Sequence, residues 1–274
     1  MTQALVEDAH DPSAAQTAQT AQTAQATERT RTLPPLWRLA LTPLALAVVL
    51  GLLAWYVTGQ DLDQIERRSL NADYLLSRTL THLELTAAAT VLILVIAIPL
   101  GVLLTRRKAR ALAGPVLAIA SIGQALPSLG LIVLLAVAFV SLGVTQIALI
   151  AFVAYGVLPV LRNTIAGLQQ VDESILESAR GMGMTPWEVL RRIELPLAVP
   201  VMLAGIRTAL VVTVGTVALA TFIGAGGLGD VISNGINSSR DLVLITGSVL
   251  VAVLALLVDW VAGIVENLLR PRGL

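Results

Sequence analysis

Long apolar runs separated by short polar segments dominate this 274-residue chain. Six of the runs are long enough to cross a hydrocarbon core, for which an α-helix needs about 20 residues. They lie near residues 39–57, 85–104, 112–138, 145–161, 197–222 and 242–264. The pattern therefore predicts an all-α integral membrane protein with about six transmembrane helices.

The third run is interrupted by the polar stretch Gln124-Ala125-Leu126-Pro127-Ser128. Irregular backbone at membrane depth is tolerated only against protein or a water-filled cavity. We therefore expect a kinked or broken span here, with Pro127 and Ser128 beside a translocation path or at a subunit contact.

The N-terminal region is polar and carries a Thr-Ala-Gln repeat between Thr17 and Gln25. Such low-complexity sequence buries too little apolar surface to offset the entropy of ordering the chain. We expect a disordered tail over 1–35, then a first transmembrane helix and an external linker over 36–74. The first apolar run begins too far into the chain for a secretory signal.

Composition excludes several classes of function. Hydrophobic residues make up 56% of the chain and charged residues 13%, which is too apolar for a soluble enzyme of this length. The absence of cysteine excludes disulfides, thiolate catalysis and cysteine-bound metals. His10 and His82 lie far apart and are expected to be solvated, so neither a metal site nor a cofactor is predicted. The net charge of zero gives no indication of nucleic-acid binding.

The distribution of positive charge predicts the orientation of the chain. Basic residues concentrate in segments on one side of the membrane, and such segments are normally cytoplasmic. On that side lie Arg29, Arg31, Arg38, Arg106, Arg107, Lys108, Arg110, Arg162, Arg180, Arg191, Arg192, Arg270 and Arg272. Both termini and the segment over 162–196 are thus expected in the cytoplasm.

Within that cytoplasmic segment, residues 174–196 contain two predicted helix starts. Ser174 and Glu177 have the spacing of a capping box. The stretch Thr185-Pro186-Trp187-Glu188 offers a hydroxyl cap, a proline at the first helical position and a carboxylate. Gly183 separates the two predicted helices, which together would present a face to the aqueous phase.

The same segment carries a motif with several fixed spacings. Glu177-Ser178-Ala179, then Gly183, then Ile193-Glu194-Leu195-Pro196 resembles the "EAA" loop of binding-protein-dependent ABC importer permeases, with Ser178 as the one departure. Pro196 would end the second helix or open the next span. The resemblance covers residues 75–270 and implies a type I, MetI-like permease domain with cytoplasmic coupling helices.

Further stretches are similar to the osmoprotectant branch of that family, whose permeases serve importers of glycine betaine, carnitine and choline. They are His82 to Thr86, Ile98 to Val102, Leu126 to Leu129, Leu158 to Thr164 and Phe222 to Asp230. The resemblance implies a bacterial cell-membrane location, ABC ATPase subunits inside, a solute-binding protein outside and a second permease, identical or paralogous. The residues expected to contact the ATPase are Glu177, Ser178, Ala179, Gly183 and Trp187.

The chain contains no G-x-x-x-x-G-K-[ST] phosphate-binding loop. We therefore predict no catalytic residue, and ATP hydrolysis is assigned to a separate polypeptide. Trp187, Leu190 and Ile193 form an apolar stripe on the second helix, of which about half is expected to pack on the permease itself.

A glycine-rich stretch over 224–229 matches the dinucleotide fingerprint G-x-G-x-x-G. The fingerprint requires a preceding strand and an acidic residue about 20 positions on, and neither is present. A membrane-anchored oxidoreductase would depend on this match alone. We instead expect a turn at the outer end of the fifth span, where Gly224, Gly226, Gly227 and Gly229 allow close packing or movement as a gate.

Asp259 lies well inside an apolar run, where an unpaired carboxylate costs about 2.5–3.5 kcal/mol. We predict a structural ion pair with Arg207; a proton-coupling carboxylate is the alternative. An ion-coupled secondary transporter would need more intramembrane charges or paired broken helices.

The sequence shows no aromatic cluster suited to a quaternary ammonium cage, so solute recognition is expected in the binding protein. Another small solute, such as an amino acid or a sulfonate, is the alternative cargo.

Overall fold

The computed structural model describes residues 36–269, with side chains over 40–269. The predicted tail over 1–35 and the C-terminal Arg270 and Arg272 lie outside the described residues. Within them the longer elements are α-helices: α1 Leu36–Thr58, α2 Gln64–Ser69, α3 Ala72–Thr105, α4 Ala113–Ala125, α5 Ser128–Ala138, α6 Val144–Gln169, α7 Glu173–Gly181, α8 Pro186–Val189, α9 Leu195–Val217, α10 Gly229–Asn237 and α11 Asp241–Leu269.

Five helical segments in the described part of the chain are long and apolar enough to cross a membrane. They are α1, α3, α6, the combined stretch Pro186–Ile223 and α11. The pair α4 and α5 passes the same test as a broken span, which raises the total to six. The predicted all-α membrane fold is therefore confirmed.

The predicted third span is two helices rather than one kinked helix, because α4 and α5 meet at an angle of 98°. Leu126 has an extended backbone with ψ 143°, and Pro127 follows it. Proline disfavours the helical conformation of the residue before it and supplies no N–H for the helix ladder. The sharp bend follows from this pair of residues.

Two helices extend beyond the predicted apolar runs. Helix α3 begins at Ala72 rather than near residue 85, because the Asn71 side chain accepts a hydrogen bond from the Tyr74 N–H at 2.8 Å. Helix α6 continues to Gln169 rather than ending near 161. The predicted external linker also contains α2, which Asp63 and Glu66 start with a capping box. Because these extensions contain polar residues, the hydropathy pattern did not predict them.

Helix α6 lies at the centre of the bundle and packs on α3 and α9. Small residues allow the helices to approach closely, as is common inside membranes. A Cβ atom on Gly156 of α6 would lie 2.1 Å from Ile93 Cδ1 of α3, and one on Gly101 of α3 would lie 2.6 Å from Thr164 of α6. On the other side, α11 packs on α9 and α10.

Candidate functional site

The first part of the candidate site is the helix α7, whose start differs from the prediction. Its cap is Asp172, whose side chain accepts a hydrogen bond from the Ser174 N–H at 2.9 Å. The predicted capping box of Ser174 and Glu177 is therefore wrong. Both Asp172 and Ser174 are good capping residues, and the earlier one captures the free N–H groups. The same hydrogen bond lowers the pKa of Asp172 below its ordinary value.

The chain reverses between α7 and α8 at Gly183, which has a φ of +84°. Only glycine adopts this left-handed conformation without a steric cost. The Met184 N–H then donates to the Ala179 carbonyl at 3.2 Å, which closes the end of α7. The predicted cap of α8 is confirmed: Thr185 and Glu188 form a capping box around Pro186.

Helix α8 is continuous with α9. It passes through a π-helical turn, Leu190–Glu194, into α9, so that Pro186–Ile223 forms one helical stretch of 38 residues. Pro196 lies at the beginning of α9. Because proline lacks an N–H and its ring displaces the carbonyl four residues earlier, a local shift to i→i+5 bonding accommodates it. The Leu195 N–H accordingly donates to the Leu190 carbonyl.

The helix pair has a buried inner face and an exposed outer face. Leu176, Ala179 and Val189 are buried together on the inner face, with Ile193 packed against them. Ala179 is only 1% exposed and packs between the two helices. Its contact with the ATPase stays a prediction.

The outer face combines polar and apolar side chains. Glu177 and Ser178 are exposed there. Met182 is 76% exposed and Trp187 65%. Of the predicted stripe, Leu190 is buried against the membrane helices, while Trp187 points away from them. Large exposed apolar side chains beside polar ones are typical of a protein contact surface.

A buried ion pair anchors the base of the helix pair. Glu194 is 5% exposed, and both of its carboxylate oxygens accept hydrogen bonds from the Arg106 guanidinium at the end of α3. Paired geometry of this kind satisfies a carboxylate that would otherwise be costly to bury. A signal for this pair is present in the sequence, since Glu194 lies beside a predicted span and Arg106 begins a basic cluster.

The break between α4 and α5 is held by the central helix α6. The Tyr155 hydroxyl donates to the Leu126 carbonyl, and the Gln124 amide donates to the Tyr155 carbonyl at 2.7 Å. Pro127 is exposed on this chain and Ser128 is partly exposed. The break is thus fixed on its inner side and open on its outer side.

The glycine-rich turn follows a 3-10 segment, Ala218–Ile223, and precedes α10. The strand that a dinucleotide site requires therefore does not precede it. Gly224, Gly226 and Gly227 all have positive φ values between 78° and 95°. A Cβ atom on Gly229 would lie 1.9 Å from the Ala218 carbonyl oxygen, so this residue packs α10 against the 3-10 segment.

His82 fixes this turn from the side of α3, and the expectation that it is solvated is wrong because its exposure is 0%. Its Nε2 lies 3.0 Å from the Val214 carbonyl oxygen and its Nδ1 lies 3.3 Å from the Leu228 backbone nitrogen. A carbonyl only accepts, so Nε2 carries the proton and Nδ1 accepts from the Leu228 N–H. One side chain thereby joins α3, α9 and the turn.

A second connection joins the same elements closer to the beginning of α3. Arg78 donates to Asp230 at 2.8 Å, and the Thr221 hydroxyl donates to the other oxygen of Asp230 at 2.6 Å. The Arg78 guanidinium also lies 5.0 Å from the centre of the Tyr74 ring. Arg78 and Asp230 are 152 residues apart in sequence, so local sequence patterns do not reveal their pairing.

The structure brings Arg207 of α9 and Asp259 of α11 together. Arg207 Nε donates to one carboxylate oxygen at 2.5 Å and Nη2 donates to the other at 2.6 Å. Glu266, two helical turns further along α11, lies 3.7 Å from Arg207 Nη1. The arrangement is the two-point geometry that arginine and a carboxylate favour.

An apolar helical bundle, a broken span and a capped helix pair at one end of a long helix are the features of a membrane permease. Residues 97–271 match the family model of the binding-protein-dependent transport system inner membrane component. The chain belongs to this family. It is accordingly a permease subunit of the ABC importer type, and ATP hydrolysis is the task of a separate subunit.

Several curated relatives are similar over most of their length. The chain is 42% identical to the carnitine transport permease protein OpuCD of Listeria monocytogenes, over 76% of this chain and 92% of the relative. It is 44% identical to the glycine betaine/carnitine/choline transport system permease protein OpuCB of Bacillus subtilis, over 74% and 92%. It is 40% identical to the osmoprotectant import permease protein OsmW of Salmonella typhimurium, over 78% and 100%.

Among solved structures, the inward facing conformations of the MetNI methionine ABC transporter include a similar chain. The TM-score is 0.62 with 26% sequence identity, and the match covers 72% of this chain and 96% of that one. An amino acid ABC transporter has the same fold, with a TM-score of 0.59 at 18% identity over 70% and 92% of the two chains.

Proposed function

We propose that this permease translocates a small compatible solute of the glycine betaine, carnitine or choline type. The observation that carries the proposal is the set of relatives at 40–44% identity that are named for these solutes and are matched over nine-tenths or more of their length. The structural neighbour named for methionine is only 26% identical, so an amino acid is the second candidate.

The outer face of the helix pair is the proposed contact with the ATPase. Glu177, Ser178 and Trp187 project from it, and Gly183 sets the angle between its two helices. Ala179 and Val189 support the face from behind. Because α8 is continuous with α9, a movement of this face is carried into the membrane bundle.

We further propose that the chain lies in a bacterial inner membrane with the helix pair in the cytoplasm. The break at Pro127 and the glycine-rich turn are assigned to the translocation path or to its gate. Arg207 and Asp259 are assigned a structural role, because the two-point pair leaves no carboxylate oxygen of Asp259 without a partner. A second permease, identical or paralogous, completes the pathway, and membrane lipid surrounds it.

Reconstitution tests the proposal. The full chain is placed in liposomes with its ATPase and its solute-binding protein, and uptake of radiolabelled glycine betaine, carnitine, choline and methionine is measured together with ATP hydrolysis. We expect hydrolysis to rise when the binding protein carries a quaternary ammonium solute, with uptake of that solute only. Uptake of methionine alone would transfer the assignment to amino acids. Uptake driven by an ion gradient without the ATPase would overturn the transporter class.

A further inference from the structure

A polar cavity of about 590 Å³ opens beside the base of the helix pair. Four arginines line it, contributed by the end of α3, the turn after it and α7, together with two glutamates. They are Arg106, Arg107, Arg110, Arg180, Glu173 and Glu194. The cavity therefore carries an excess of positive charge.

Both glutamates are already neutralised within the cavity. Glu194 pairs with Arg106, and Glu173 pairs with Arg180 at 2.8 Å. Arg107 and Arg110 are exposed, and the structure gives their guanidinium groups no hydrogen bond or ion pair within residues 40–269. Two adjacent guanidinium groups without a counter-ion favour an anion, and arginine matches phosphate oxygens particularly well.

A second cavity, apolar and of about 310 Å³, shares α3 and α6 with the polar cavity. It is a groove between α3, α4 and α6, lined by residues such as Leu100, Val116, Ala120 and Val157. Leu161 of α6 lines this groove, and Leu168 of the same helix lines the polar cavity. Seven residues are two helical turns, so these two side chains lie on one face of α6, about 10 Å apart along its axis.

The surface beside the groove is apolar and exposed in the isolated chain. Along α4 and the turn before it, Leu112, Ile119 and Ile122 are 57%, 68% and 59% exposed. Arginines at the end of such an apolar face lie at the level of lipid headgroups, where basic pockets between membrane helices bind anionic headgroups. A small soluble anion would occupy only the polar cavity and would leave the apolar groove empty.

We propose that the two cavities together bind one anionic phospholipid. Arg107 and Arg110 hold its phosphate, and an acyl chain occupies the groove between α3, α4 and α6. The site goes beyond the proposed transport function and does not depend on which solute is carried. It places the lipid against both Arg106 and α7, that is, against the anchor of the helix pair.

Native mass spectrometry of the purified full chain tests this assignment, with palmitoyl-oleoyl phosphatidylglycerol as the probe and the phosphatidylcholine of the same chains as its neutral counterpart. We expect phosphatidylglycerol to bind more tightly than phosphatidylcholine. In the double variant Arg107→Gln with Arg110→Gln, its affinity is expected to fall about tenfold or more, because each arginine near a phosphate contributes several-fold. The charge-preserving variant Arg107→Lys with Arg110→Lys is expected to retain most of the affinity.

The matched control is Arg191→Gln with Arg192→Gln, which removes the same charge from exposed positions that line neither cavity. Equal losses in both double variants, or no loss in either, would overturn the site. Ala120→Phe fills the groove and is expected to weaken phosphatidylglycerol binding while leaving the arginines in place. If Ala120→Phe has no effect and inorganic phosphate displaces the lipid, the cavity is a site for free phosphate and the phospholipid assignment is wrong.

Discussion

At the scale of single residues, His82 connects three elements through two hydrogen bonds in a fully buried position. In His82→Leu, the Leu228 N–H and the Val214 carbonyl lose their partner. Leaving buried polar groups unpaired costs about 1–3 kcal/mol each. We expect a lower Tm in detergent and reduced solute uptake. Leu80→Ala, at an exposed position of the same helix, is the control. Unchanged Tm and uptake in His82→Leu would show that the turn is held by other contacts.

Gly183 and Gly181 form a natural pair for a second experiment. A Cβ atom at either position would meet nothing within 4 Å, but only Gly183 has a positive φ. Gly183→Ala therefore costs about 1–2 kcal/mol through backbone strain alone. Gly181→Ala is expected to be neutral. We expect ATP hydrolysis stimulated by the loaded binding protein to fall in Gly183→Ala only, and equal activities in both variants would remove Gly183 from the coupling role.

At the scale of elements, the prolines have different effects on their helices, and the sequence alone does not predict which effect each proline has. Pro127 terminates a helix and produces the 98° break, whereas Pro99 and Pro159 lie inside continuous helices. The helix continues through Pro196 because a π-helical turn accommodates it. The difference lies in the surroundings. At the break the Tyr155 hydroxyl satisfies the Leu126 carbonyl, whereas the Gln124 amide donates to the Tyr155 carbonyl, four residues before Pro159 in α6. A local pattern identifies where a helix is weak, and tertiary contacts decide whether it breaks.

The pair of α9 and α11 supplies a prediction at this scale. Asp259→Asn removes one charge of a partly exposed pair, so we expect a loss of about 1–3 kcal/mol of stability. Glu266 lies 3.7 Å from Arg207, and it would repel a carboxylate placed there. The reversed pair, Arg207→Asp with Asp259→Arg, is therefore made in a Glu266→Gln background.

Tm and assembly with the ATPase are measured in detergent for these variants, with Glu266→Gln alone as the reference. The reversed pair is expected to recover most of what either single change loses in that background. Losses that simply add would indicate that the two residues act independently.

At the scale of the whole molecule, orientation can be tested directly because the chain contains no cysteine. Met182→Cys places a thiol on the exposed face of the helix pair, and Gln60→Cys places one in the turn after α1. A membrane-impermeant maleimide applied to intact cells is expected to label Gln60→Cys. Met182→Cys is expected to react only after lysis. The opposite result would reverse the proposed orientation.

Much of the architecture could be predicted from the sequence because apolar runs of span length specify membrane helices. The helix pair was also predictable, since Thr185, Glu188 and Gly183 act within one or two turns. The contacts of His82 and Arg78 were not, because their partners lie more than a hundred residues away. The early start of α3 was not predictable either, because its first turns are polar and are stabilised by contacts with α10, which is distant in sequence.

The continuous helix from Pro186 to Ile223 connects the helix pair directly to the glycine-rich turn. At 38 residues it is about 57 Å long, with the proposed docking face at one end and the histidine-bound glycine turn beyond the other. A tilt of about 10° about one end would displace the other by about 10 Å. A displacement at Trp187, on the proposed docking face, would therefore be transmitted along one helical stretch to the turn at Gly224.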